Sequence, residues 1–320
     1  MDSYRVILTD SRHSDYEIER NILARVNAQL VLKDLTTVEE VISQCSDADA
    51  ILLDMAPMPK EVVDKLKKCK VISRYGVGYD NVDVDACTKK GIWVANVPDY
   101  CFHDVAEHAV ALMFSALRQT ALRDRLIRRG EWNIQSDAAF RLFGKTVGIM
   151  GGGRIATALI EKLSGFGLKN ILVYDPYISA DKLAEIGAVK SSMEELLFNS
   201  DIISLHMPVT NETRGIINCQ TIKMMKNGVI LINTARGALV DDNALLSALN
   251  DGTIAFAGLD THNIEPLSKD SEFLKLDNVV LTDHCAYNTP EAVADLKSKT
   301  AQNVADVLAG GRPVYPVNRL

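Results

Sequence analysis

From Tyr4 to Asn96, short apolar runs alternate with amphipathic stretches. YRVILT, QLVLKD, AILLD, KVISRYG and IWVAN are rich in Val, Ile and Leu and too short for helices, so they predict β-strands. Between them, segments near 15–27, 37–46, 60–68 and 83–90 read as helices. Strand and helix alternating in this way predict a small parallel sheet with helices on its faces.

The alternation breaks at VPDYCFHD (97–104), where Pro98 and its polar neighbours mark a crossing into a second domain. A long amphipathic stretch, Asp104–Arg129, follows. The βα pattern then resumes from Thr146. Six apolar runs (Thr146–Met150, Ile171–Tyr174, DIISLH, VILINT, IAFAGLD and NVVLTDH) predict strands, and segments at Arg154–Phe166 and near 180–187, 192–198, 220–226 and 241–250 predict helices. That is a doubly wound sheet of six or seven strands. Pro290–Leu308 predicts a long amphipathic helix that returns to the first domain. The expected fold class is therefore α/β, with two doubly wound parallel-sheet domains: 1–100 plus 288–320, and 101–287 inserted between them. The stretch 118–145 is basic, carries Trp132, Phe140 and Phe143, and fits neither pattern; it is expected to be an arm that packs on a partner subunit.

Composition narrows the class. The 320 residues suffice for two domains, and 47% hydrophobic with 24% charged residues is the balance of a globular protein. A net charge of −7 argues against nucleic-acid or anionic-membrane binding through bulk charge. The beginning, MDSYRVILTD, lacks the pattern of a secretory signal, and no apolar run approaches the roughly 18 residues of a membrane span. The six cysteines form no CxxC pair or zinc spacing, so they are expected to be mostly buried and reduced, and the expected location is the cytoplasm.

Candidate chemistry begins at residues 145–175. An apolar run ends at Gly151, Gly152 and Gly153, a helix follows, and a second apolar run ends at Asp175, 24 residues beyond Gly151. Strand, tight glycine turn, helix, strand and acid within about thirty residues form a dinucleotide fingerprint. Gly151 can take backbone angles that side chains forbid. Gly153 lets the main chain approach a pyrophosphate, and the helix from Arg154 presents its unpaired N–H groups to that anion. Ala156 stands at the third glycine position and is small enough for close helix–strand packing. The Asp175 carboxylate can accept hydrogen bonds from a ribose diol. In the first domain, Arg74, Gly76 and Gly78 end a strand in a turn whose N–H groups can form an anion-binding concavity.

Ligands of open parallel sheets bind beyond the carboxyl ends of the strands. The polar residues found there are His206, Thr234–Arg236, Asp260 and His284, with Glu265 shortly after Asp260. Hydride transfer to a 2-keto acid needs a cation for the carboxylate and carbonyl, an acid for the new alkoxide, and a carboxylate that orients and charges that acid. Arg236, His284 and Glu265 supply these three groups.

Six segments carry a resemblance. RYGVGYDNVD (74–83), VGIMGGGRIA (147–156), LHMPVTNETRGIIN (205–218), MKNGVILINTARGALVDDNAL (225–245), LDTHNIEP (259–266) and DHCAYN (283–288) together resemble the D-isomer-specific 2-hydroxyacid dehydrogenase family over nearly the whole chain. VPDYCFHDVAEHA and HCAYN look most like the members related to the C-terminal-binding protein. The resemblance implies a Rossmann NAD-binding domain inserted in a flavodoxin-like substrate domain. It implies NAD as cofactor, no metal, a homodimer, and a small 2-keto or D-2-hydroxy acid as substrate. Carried over by position, Arg236, Glu265 and His284 are the catalytic trio. Gly151, Gly153, Arg154, Ile155, Asp175, His206, Pro208, Thr213, Thr234, Ala235 and Asp260 are expected to contact the cofactor. Arg74, Val77, Gly78, Tyr100 and Tyr287 are expected to contact the substrate, with Tyr287 standing where eukaryotic relatives carry Trp.

Two other functions fit the same fold. One is an NAD(H)-sensing interaction protein; the intact Arg–Glu–His set favours turnover over it. The other is phosphite or formate oxidation, and formate enzymes use an amide where this chain has Glu265. Among the remaining histidines, His206 is expected to be a structural or cofactor contact rather than a base. His103 and His108 are expected to be structural; His262, three residues before Glu265, is within reach of the pocket, but a plain loop histidine is the favoured reading.

Overall fold

The computed structural model describes residues 3–11, 13–132 and 139–320. Two compact units emerge, Met1–Cys101 with Thr289–Leu320, and Phe102–Asn288. Their limits lie one residue from the boundaries at 100/101 and 287/288 expected from the pattern.

In the first unit, β1 (Tyr4–Leu8), β2 (Ala28–Leu32), β3 (Ala50–Leu53), β4 (Val71–Arg74) and β5 (Trp93–Ala95) form one parallel sheet in the order β2-β1-β3-β4-β5. The near-continuous apolar runs reflect burial on both faces. Ile7, Ile51 and Ile72 face one cluster, which includes Val41 and Val62 of the helices Val38–Cys45 and Lys60–Lys65. Val6, Leu8, Leu52 and Val71 face the other, covered by Leu23 and by Leu296, Val304, Val307 and Leu308. Burying each such side chain contributes about 1.5–3 kcal/mol. The last four belong to the helix Pro290–Leu308, which lies against β3 and β4. Its start is encoded locally: Pro290 at the first position needs no N–H, and the Thr289 hydroxyl accepts from the Ala292 N–H at 3.1 Å.

In the second unit, β6 (Thr146–Met150), β7 (Asn170–Tyr174), β8 (Val189–Lys190), β9 (Ile202–Leu205), β10 (Val229–Asn233), β11 (Ile254–Leu259) and β12 (Val279–Leu281) form a parallel sheet in the order β12-β11-β10-β9-β6-β7-β8. One face packs on Ala106, Ala109, Leu112 and Met113 of the helix Phe102–Arg118; the other packs on Leu196, Leu197, Leu245 and Leu249. Chain order reverses between β6 and β9, where Met150 pairs with Leu205. The glycine turn after Met150 and His206 after Leu205 therefore flank the switch point, where doubly wound sheets hold their ligands.

Three features differ from the pattern-based expectation. The seventh strand, β8, is two exposed residues at the sheet edge, too short and too polar to show a period. The segment near 220–226 keeps only the short helix Cys219–Ile222. The amphipathic stretch Asp104–Arg129 resolves into two helices, and its second half, expected to be part of an arm, is helical. Gln119 turns left-handed (φ 55, ψ 34) between Phe102–Arg118 and Thr120–Arg128, and the second helix buries no residue in this chain. Its apolar residues have no core of their own to hold them in line with the first helix. Of the expected arm 118–145, residues 133–138 lie outside the described residues; Trp132 and Phe143 are exposed. Among the described residues, no helix is long and apolar enough to cross a membrane. The cysteines are free: Cys45, Cys69, Cys87 and Cys101 are buried, Cys285 is half-buried and Cys219 exposed.

Candidate active site

The glycine turn is fixed by a close approach. Gly151 has φ +95, and a methyl group there would meet the His206 carbonyl oxygen at 2.6 Å. The turn after β6 and the start of the loop after β9 thus touch backbone to backbone, which no larger residue permits. A Cβ on Gly153, by contrast, would point into open space. The helix Arg154–Leu163 begins at Gly153 with no side-chain cap, and Ala156 is fully buried under it. Arg154 is exposed and Ile155 half-buried. At the end of β7, Asp175 accepts from the Gly152 N–H and the Tyr177 N–H, both at 2.8 Å, so the acid and the glycine turn are one hydrogen-bonded unit.

Along the same edge, His206 bonds Ser204 Oγ at 2.8 Å through Nε2. Burial lowers its imidazole to about 4 from the usual 6.5, so the ring is neutral at physiological pH. In the loop beyond it, Thr213 Oγ1 donates to the Pro208 carbonyl at 2.7 Å and accepts from the Thr210 N–H, which closes that loop on itself. After β10, Asn233 shapes the next turn: it accepts from the Ala235 N–H at 3.1 Å and donates to the Arg236 carbonyl at 2.8 Å. Two side-chain atoms on this edge, His206 Nδ1 and Thr234 Oγ1, are buried without a hydrogen-bond partner among the described residues. Buried polar groups are normally paired. Two orphans, an uncapped helix start, the open approach at Gly153 and a carboxylate at the next strand end fit a bound dinucleotide.

The acid–base pair lies on the other half of the edge. His284 Nδ1 stands 2.7 Å from Glu265 Oε2, with 38% of the histidine side chain and 27% of the glutamate exposed. Burial alone would raise the Glu265 carboxyl. The His284 hydrogen bond, and next the His262 N–H donated to Oε1 at 2.9 Å, outweigh it, and the carboxyl lies below the usual carboxylate range. Tyr287 sets its ring edge-on to His284, 6.5 Å between centroids. Arg236 is half-buried and donates through Nη1 to the Ala235 carbonyl at 2.7 Å. Gly237 brings its loop against the Glu265 loop, since a side chain there would collide with the backbone at His262 and Asn263.

Asp260, expected to contact the cofactor, is held by its own loop. It is fully buried, and its carboxylate accepts from Thr282 Oγ1 at 2.6 Å, the Cys285 N–H at 3.0 Å and the Ala286 N–H at 3.1 Å. Those bonds make it the clamp of the loop that presents His284. His108, Asp260 and Cys285 bring metal-ligand atom types within 4.8 Å of one another, but the Asp260 oxygens are committed to that loop. Burial, then contact with Asp283, pushes the Cys285 thiol up to about 11, so it is protonated at neutral pH.

The proposed substrate residues of the first unit cluster at the end of β4. Arg74 lies 3.7 Å from Asp54. Asn96 donates to the Val77 carbonyl at 2.7 Å and the Val97 N–H to the Gly76 carbonyl at 2.9 Å, fixing the turn that holds Val77 and Gly78. The Tyr100 hydroxyl lies beside that turn, 3.8 Å from where a Gly76 Cβ would stand.

Three contributors were not read in these roles from the pattern: Asn233, His262 and Thr282. Each acts through bonds to main-chain groups or to a buried carboxylate, and no motif records such bonds.

Fold and site together define an α/β dinucleotide-binding protein with a histidine–carboxylate pair at the ligand edge of its second sheet. Residues 110–286 match the family model described as "D-isomer specific 2-hydroxyacid dehydrogenase, NAD binding domain". The chain is 38% identical over 284 residues to a glyoxylate reductase of Korarchaeum cryptofilum, covering 88% of this chain and 85% of that one. It is also 38% identical over 308 residues to a D-3-phosphoglycerate dehydrogenase of Methanocaldococcus jannaschii, covering 96% of this chain and 58% of that relative. The chain thus spans little more than half the length of that enzyme. A crystal structure of a glyoxylate reductase from Paecilomyes thermophila superposes with a TM-score of 0.90 at 31% identity, covering 99% of each chain. The chain belongs to the D-isomer-specific 2-hydroxyacid dehydrogenase family and carries that family's NAD-binding domain.

Proposed function

We propose that the protein is an NAD-dependent oxidoreductase that interconverts a small D-2-hydroxy acid and its 2-keto acid. The observation that carries this is the 2.7 Å bond between His284 Nδ1 and Glu265 Oε2. NADH, when bound, supplies the hydride. His284, with Nδ1 engaged by Glu265, has Nε2 left to give a proton to the forming alkoxide. Glu265 stays ionised through that step and compensates the imidazolium charge. Arg236 holds the substrate carboxylate and draws electron density toward the carbonyl oxygen. Gly151, Gly153, Arg154, Ile155 and Asp175 hold the dinucleotide, together with His206, Pro208, Thr213, Thr234 and Ala235. Arg74, Val77, Gly78 and Tyr100 bind the carboxylate end of the substrate, and Tyr287 lines the acid–base pair. The relatives named above support glyoxylate and a phosphorylated hydroxy acid as the first compounds to test.

The test is NADH oxidation with pyruvate, glyoxylate, hydroxypyruvate, oxaloacetate and phosphohydroxypyruvate. Turnover with at least one is expected; NADH binding without turnover of any of them would favour the NAD(H)-sensing function instead. The protein is further proposed to be a cytoplasmic homodimer. Its contact would be the helix Thr120–Arg128, none of whose residues is fully buried in its own chain, with the exposed Trp132 just beyond it. A monomer mass by light scattering at micromolar concentration would refute the dimer.

A further inference from the structure

Two loops carry the acid–base pair, and His262 is bonded to both. Its backbone N–H donates to Glu265 Oε1, and its ring Nε2 lies 2.9 Å from the Thr282 carbonyl oxygen. A carbonyl only accepts, so Nε2 must carry the proton. Thr282 is held on its other side as well. Its hydroxyl donates its one proton to Asp260 Oδ1, so the same oxygen accepts from His108 Nε2 at 3.0 Å. Two residues on, His284 adopts φ 55, a left-handed conformation disfavoured for any residue with a Cβ. Such a conformation persists where the surroundings over-determine it. Here they do: the His284 N–H donates to the Asp260 carbonyl at 2.8 Å, and the Asp260 carboxylate takes the next two N–H groups.

We infer that His262 is a positioning residue of the acid–base machinery: its ring ties the loop of Glu265 to the loop of His284 and sets the geometry in which carboxylate meets imidazole. This role rests on the proposed keto-acid chemistry for its kinetic consequence, though not for its geometry. Glu265 Oε1 is held by the His262 main chain and Oε2 by the His284 ring, so a shift of either loop lengthens the Glu265–His284 bond. The titratable side chains that act most on Glu265 are those of His284 and His262.

The experiment compares His262→Ala, which removes the ring donor and keeps the main-chain bond to Glu265, with His262→Gln, which keeps an N–H at a similar reach. In keto-acid reduction His262→Ala should lose about 10- to 100-fold in kcat, as misplacement of reacting groups does. The KM for NADH should stay within about two-fold, and His262→Gln should recover most of the rate. The low-pH fall in kcat, where Glu265 takes a proton, should move up toward the ordinary carboxylate range of about 4.3 in the Ala variant, because the ionised form loses hydrogen-bond support. A histidine with only a packing role would lower the melting temperature and leave that fall in place. If His262→Ala does not fold, His262→Leu fills the space without a donor and replaces it. A second readout needs no substrate: the proton shared by His284 Nδ1 and Glu265, followed by NMR in isotope-labelled protein, should persist in wild type and His262→Gln and broaden away in the donor-free variant. If the wild type reduces no keto acid, the proposed function fails and the shared proton alone decides the role of His262. A donor-free variant with unchanged kcat, or with the shared proton intact, overturns the inference.

Discussion

The ligand edge of the second sheet has two halves, and each holds a histidine just past a strand. His206 follows β9 and His284 follows β12, yet their surroundings set opposite chemistry. His206 has a serine hydroxyl for a partner and an imidazole lowered to about 4 by burial. His284 has a carboxylate at 2.7 Å and an exposed flank. Desolvation without a counter-charge keeps a histidine neutral, whereas a carboxylate within hydrogen-bond reach orients the ring and leaves its other nitrogen toward the open side. The half built from β6, β7 and β9, with Thr234 at the end of β10, is thereby suited to binding, and the loops after β11 and β12, with Arg236, to chemistry.

The sharpest way to break this division is to swap the losses. His284→Asn should lower kcat by about 10²–10⁴, the contribution of a positioned general acid, with NADH affinity nearly unchanged. His206→Asn should act mainly on the KM for NADH. Steady-state kinetics on both variants decides it, and a larger kcat loss in the His206 variant would reverse the assignment.

A next test stays on the chemistry half. Arg236→Ala removes a charge-assisted contact worth about 1.5–3 kcal/mol, or roughly 10- to 150-fold in kcat/KM. Part of that loss should appear in kcat, because the contact strengthens as charge grows on the carbonyl oxygen. Arg74→Ala, in the first unit, should mainly raise KM. Equal effects of both variants on kcat would remove the distinction between holding the substrate and stabilising its reaction.

On the binding half, Asp175 sets cofactor choice. Its carboxylate is fixed by two N–H groups and would face a 2′-phosphate with like charge. NADH should be preferred over NADPH, and Asp175→Ala should narrow the ratio of kcat/KM values by about tenfold, the scale of one partly screened charge pair. A ratio that the substitution leaves unmoved would place the discrimination elsewhere.

The last effect is on stability rather than on turnover. The unfolded chain protonates its histidine near 6.5, whereas folded His206 waits until about 4. Its contribution is therefore complete above pH 6.5 and lost as pH falls toward 4, by at most about 3 kcal/mol. His206→Asn should flatten the melting temperature of the cofactor-free protein across that window. A slope identical to wild type would show that other groups govern it.

How much of this was legible in the sequence depends on the kind of contact involved. The strands are two-sided apolar runs, so their pattern carries over directly into two parallel sheets. Gly151, Asp175 and the Glu265–His284 pair lie in motifs whose spacing reflects one local geometry. The turn at Gln119 was not legible, because the amphipathic period continues through it and only the absence of a core beneath Thr120–Arg128 distinguishes the two helices. Nor was β8, with two residues. His262 looked like any loop histidine, since its partner is the main chain of Thr282, twenty residues away. Asp260 was legible as a polar residue at a strand end, but its burial was not, because burial is invisible in a motif.

The helix Pro290–Leu308 completes a sheet that the chain began with Tyr4. Everything from Phe102 to Asn288 is translated between the last strand of the first unit and the helix that covers it. At 5–20 residues per second that interval is roughly ten to forty seconds on the ribosome. Through it, Val6, Leu8, Leu52 and Val71 wait for Leu296, Val304, Val307 and Leu308, while the second unit has all of its own strands in hand. The nascent chain should thus acquire protease resistance in the later-encoded unit before the earlier-encoded one, and the uncovered face is where a holding chaperone would bind.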